Sequence, residues 1–73
     1  MQNTTTHETT QREKEVLQLL ANFHNYSEIS KILGISIKTV NRHIDNIMKK
    51  TGIHRKDLLT KYALEHEREK VLV

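Results

Sequence analysis

Residues 33–52 read LGISIKTVNRHIDNIMKKTG, and this stretch decides the fold. Gly34 follows a short apolar run (Ile29, Ile32, Leu33), Ser36 stands two residues later, and no further Gly occurs before Gly52. Glycine accepts the left-handed backbone that ends a helix. A serine side chain caps the free N–H groups that begin one. Only Ile35 separates the two, so the spacing predicts two helices joined by a turn of about three residues, a helix-turn-helix. The second helix is expected over residues 37–50. At 100° per residue, Ile37, Val40, Ile44, Ile47 and Met48 fall on one face, and Lys38, Thr39, Arg42, Asp45, Asn46 and Lys49 on the other.

The flanks extend the same pattern. Upstream, Asn25 and Glu28 have the spacing of a capping box and open a short helix that buries Ile29, Ile32 and Leu33. Thr10 and Glu13 repeat the signal, followed by Val16, Leu17, Leu19 and Leu20 at helical period, with an end expected near Asn22–His24. Downstream, a fourth helix starts around Arg55, buries Leu58, Leu59, Tyr62 and Ala63, and runs toward Lys70. The expected fold class is all-α, a four-helix bundle containing a helix-turn-helix. Residues 1–8 (MQNTTTHE) are polar and aperiodic and read as a flexible N-terminal arm before a single domain over 9–73.

Composition removes most alternatives. Seventy-three residues make one small domain, which buries only about 60% of its unfolded surface. That leaves no room for a large cavity or a dinucleotide fold. Cysteine is absent, which excludes disulfides, thiol nucleophiles and thiolate metal sites. No apolar stretch approaches a membrane span, so a soluble, cytoplasmic chain with no membrane partner is expected. His7, His24, His54 and His66 lack metal-ligand spacing, and no nucleophile–base pair is in prospect. The sequence therefore predicts no metal, no cofactor, no catalytic residue and no enzyme.

Charge supplies the positive clue. Residues 1–36 carry three cations against four carboxylates, a net of −1, and residues 57–73 also sum to −1. Residues 37–56 hold Lys38, Arg42, Lys49, Lys50, Arg55 and Lys56 against Asp45 alone, a net of +5. A cationic block opposite an apolar stripe is the footprint of a polyanion-binding helix, and a helix of this kind fits the major groove of duplex DNA. Lys38 and Thr39 lie in its first turn, where free N–H groups and the helix dipole favour a phosphate. Arg42 lies one turn on, and its planar fork matches guanine O6 and N7; Asn41 suits adenine or a phosphate. Asp45 either orients Arg42 or Lys49 or accepts from cytosine. Lys49, Lys50, Arg55 and Lys56 are expected on the DNA backbone.

These residues resemble the LuxR/GerE-type DNA-binding domain of bacterial transcription regulators over Thr10 to Ala63. Thr10, Arg12, Glu13, Glu15, Val16 and Leu17 match the opening Thr-x-Arg-Glu-x-Glu-Val-Leu, and Glu28-Ile29 with Leu33-x-Ile35-Ser36 match the scaffold and turn. Lys38-Thr39-Val40-x-x-His43-x-x-Asn46-Ile47-x-x-Lys50-x-Gly52 matches the recognition helix and its exit, and Tyr62-Ala63 the fourth helix. The resemblance implies sequence-specific binding of double-stranded DNA through the third helix. The implied contact set is Ser36, Lys38, Thr39, Asn41, Arg42, His43, Asp45, Asn46, Lys49 and Lys50. Within it Thr39, His43 and Lys50 would touch backbone or position the helix, and Asn41, Arg42 and Asp45 would set base preference. The chain departs from the pattern at Thr9 and Ser30, where apolar residue and alanine are usual, and at Asn41 and Asp45.

The resemblance further implies a weak homodimer through the fourth helix, where Thr60, Leu64, Glu67 and Val71 recur on one face with Leu64 and Val71 read as exposed. It also implies a sensor domain or RNA polymerase as partners, and a place at the bacterial nucleoid. The competing expectation is a small helical protein-interaction module acting through that fourth helix.

Overall fold

The computed structural model describes residues 9–66, which form four helices in the order α1 (Gln11–Ala21), α2 (Tyr26–Leu33), α3 (Ile37–Thr51) and α4 (Lys56–His66). The arm over residues 1–8 lies outside the described residues, as does the expected run of the fourth helix toward Lys70.

Each start is fixed by a side chain. Thr10 Oγ1 accepts the Glu13 N–H at 3.1 Å while Glu13 Oε1 accepts the Thr10 N–H at 2.9 Å, a reciprocal capping box. Asn25 and Glu28 repeat it at α2, with distances of 2.8 and 3.0 Å. Ser36 caps α3 by accepting the Thr39 N–H at 3.0 Å. Two of the stops are glycines in the left-handed region, Gly34 at φ +70° and Gly52 at φ +75°. The third was not visible in the sequence. Phe23 takes φ +65° after α1, with its N–H on the Leu20 carbonyl and the His24 N–H on the Leu19 carbonyl. That is a Schellman motif with an aromatic residue where glycine is preferred.

The core is Val16, Leu17, Leu20 and Ala21 of α1, Ile29 of α2, Val40, Ile44 and Ile47 of α3, and Leu59 and Ala63 of α4. α1 packs on both α3 and α4, and α2 packs on α3. Four expectations about burial are corrected. Ile32 is exposed because the inward side of α2 is occupied by the buried Ile29 and Ser30, with Leu33 packed against the core. Ile37 is exposed because it opens α3, one turn before the first buried residue of that stripe, Val40. Leu58 is exposed because Leu59 and Ala63, one turn apart, form the inward line of α4. Leu64, read as an exposed apolar residue, is half-buried and packs against the core. Ser30, in place of the usual alanine, is buried and donates its hydroxyl to the Ser27 carbonyl at 2.8 Å.

Candidate nucleic-acid interface

The packing of α3 sorts its residues. Val40, Ile44 and Ile47 point into the core, so Lys38, Asn41, Arg42, Asp45 and Lys49 stand exposed on the far side. Thr39, His43, Asn46 and Lys50 lie between, half-buried. Lys38, Thr39 and Arg42 line one shallow hollow at the start of the helix. Beside it, Ser36 Oγ takes the Thr39 N–H and lies 2.9 Å from Thr39 Oγ1, so these two hydroxyls engage each other. Of the first-turn N–H groups, those of Ile37 and Lys38 keep their donor capacity toward an incoming anion.

The six cations of the basic block are not equivalent. Lys50 Nζ donates to Glu13 Oε1 at 2.7 Å, across 37 residues of sequence, with the glutamate side chain 4% exposed and the lysine side chain 24%. Arg55 pairs with Asp57 at 2.8 Å on the surface. Lys56 places its ammonium 4.9 Å from the centre of the Tyr26 ring, within cation–π range. Lys38, Arg42 and Lys49 enter no ion pair among the described residues. Asp45 likewise pairs with neither Arg42 nor Lys49 among the described residues.

Two titrating groups are perturbed beside this surface. Burial pushes the Glu13 carboxyl up, but the Lys50 hydrogen bond, the Thr10 N–H and the charges of Lys50 and His43 overcome it and hold the group below its ordinary value. Burial, with the Asp45 charge added, pushes the Tyr26 phenol up. Its hydroxyl is buried without a hydrogen-bond partner among the described residues. Sequence reasoning missed both roles. Glu13 is already explained locally as a capping residue, so nothing flags its distant partner. No three acidic or histidine side chains converge as a metal site among the described residues.

A capped helix presenting unpaired cations on one face and a core stripe on the other, joined by a glycine turn to a shorter helix, defines a DNA-binding helix-turn-helix domain. The family model for bacterial regulatory proteins of the luxR family matches residues 8–63. The chain belongs to the luxR family of bacterial regulatory proteins, a family of DNA-binding transcription regulators rather than an enzyme class. It is 47% identical over 55 residues to the uncharacterized response regulatory protein YgeK of Escherichia coli (strain K12), covering 75% of this chain and 37% of that one. It is 43% identical over 54 residues to the oxygen regulatory protein NreC of Staphylococcus aureus (strain JH9), covering 74% of this chain and 25% of that one. The chain thus spans between a quarter and two fifths of the length of these relatives. No solved structure matches it. No helix among the described residues is long and apolar enough to cross a membrane.

Proposed function

We propose that this domain reads a specific DNA sequence by laying α3 in the major groove, with Asn41, Arg42 and Asp45 toward base edges and Ser36, Lys38, Thr39 and Lys49 toward phosphates. The observation that carries the reading is the exposed face of α3, where Lys38, Arg42 and Lys49 stand without ion-pair partners among the described residues, opposite the buried line of Val40, Ile44 and Ile47. Asp45 is a base-facing carboxylate in this account, because no cation of its own helix holds it. His43 and Asn46, half-buried at the margin of that face, brace the helix and meet the backbone at its edge. The domain is the DNA-binding part of a response regulator, a reading supported by the name of the response regulatory protein YgeK. Its protein partner is a sensor domain, of receiver type on this reading, or RNA polymerase.

The functional unit is a homodimer on DNA, paired through α4 from Thr60 and Leu64 onward. Glu67 and Val71 of that surface lie outside the described residues. Leu64 is half-buried against its own core, which leaves a smaller apolar surface on the described part of α4 for any partner, a second copy included.

Selection from random duplexes, followed by anisotropy titration of the enriched sequence and a scrambled control, tests the reading. The enriched duplex is expected to bind at least ~10³ tighter than the scramble. Absence of any enriched sequence, with weak binding that tracks salt alone, would contradict it.

A further inference from the structure

Lys50 belongs to the string that reads as DNA contacts, yet its ammonium is spent inside the protein. Glu13 Oε1 is the acceptor for two donors at once, the Thr10 N–H at 2.9 Å and Lys50 Nζ at 2.7 Å. One oxygen atom therefore closes the cap of α1 and clamps the last turn of α3. The carboxylate is almost completely buried, so it cannot exchange Lys50 for water without an unpaired charge remaining inside the fold. A lysine held in this way has its charge offset by a buried carboxylate and attracts a phosphate less than a free lysine does. The neighbouring Lys49, on the exposed face, has no such offset among the described residues.

We propose that Glu13 is a positioning residue for DNA binding: it neutralises Lys50 and fixes the pitch of α3 against α1, so that Lys50 aligns the recognition helix instead of contacting phosphate. The inference rests on the DNA-binding reading above. Its physical content is that affinity and specificity separate. A phosphate contact releases counterions and adds about 0.9 to the salt slope of binding, for any sequence. An alignment contact adds nothing to that slope and acts through the placement of Arg42 and Asn41 on bases.

The test is the paired variant Glu13→Gln/Lys50→Met, which keeps the shape of the first side chain, shortens the second by one atom and leaves no unpaired charge. It is titrated with the selected and the scrambled duplex at several salt concentrations, beside wild type and Lys49→Met. Circular dichroism at the working temperature confirms that each is folded. If the paired variant melts, the single variant Lys50→Arg, which keeps the ion pair with a differently shaped head, takes its place with the same two readouts.

The expected result for the paired variant is an unchanged salt slope with the specific-to-scrambled ratio reduced about tenfold, the scale of one base contact. For Lys50→Arg it is again a reduced ratio at constant slope. Lys49→Met is expected to lower the slope by about 0.9 and leave the ratio alone. A slope lowered by about 0.9 in the paired variant would overturn the masking of Lys50. Unchanged slope and unchanged ratio would show a contact that serves stability only, which overturns the positioning role. If wild type binds no duplex at all, both this inference and the DNA reading fall, an outcome distinct from the other two.

Discussion

Phe23 carries backbone strain that the fold has no way to relieve. Its φ of +65° places a Cβ in the left-handed region, at a cost of about 1–2 kcal/mol, and the residue is 73% exposed, so packing returns little. Phe23→Gly is therefore expected to raise stability by about 1 kcal/mol, which for a domain of this size is about 4–8 °C in Tm by thermal melting. A lower Tm would mean that the ring makes contacts worth more than the strain. Gly34 and Gly52 show the opposite case: the same backbone region is filled by the residue that tolerates it, and no atom lies within 4 Å of either Cβ position. The sequence displayed the two glycine stops but not the third, because no rule of spacing marks a phenylalanine as left-handed. Only the hydrogen bonds from Phe23 and His24 back to Leu20 and Leu19 reveal it.

Among elements, the α1–α3 contact is the one with a titratable joint. Glu13 sits below its ordinary pKa in the folded state, so it binds fewer protons there than in the unfolded chain. The stability it contributes is present above the unfolded value of about 4.3 and is lost as pH falls through the lower folded value. Denaturant melts from pH 6 downward should show wild type losing more stability than Glu13→Gln below about pH 4.3. Parallel curves would mean that the pair makes no net contribution. Helix positions, caps and the apolar stripe of α3 were legible because each depends on neighbours within a few residues. Local signals also ranked Lys50 with Lys49, since both follow Met48 in one cationic run. What separates them is a partner 37 residues away, and only packing of α1 on α3 brings it near. The burial of Leu64 was likewise out of reach, because the width of the stripe on α4 depends on how α1 lies across it.

For the whole molecule, the +5 charge block overstates what DNA meets. Glu13, Asp57 and the Tyr26 ring engage Lys50, Arg55 and Lys56, so three cations of the block remain for DNA, Lys38 and Lys49 for phosphates and Arg42 for bases. The salt slope of binding is accordingly expected near −2 per bound protomer. A slope near −5 would show that all six are recruited on the DNA. The direct test of the central claim is the loss caused by Arg42→Ala on the selected duplex against the scrambled one, measured by anisotropy at fixed salt. The account predicts a loss of about 1–3 kcal/mol on the selected duplex beyond any on the scramble, with the thermal melt unchanged. Equal losses on both duplexes would contradict it, and would make the exposed face of α3 a polyanion surface that does not read sequence.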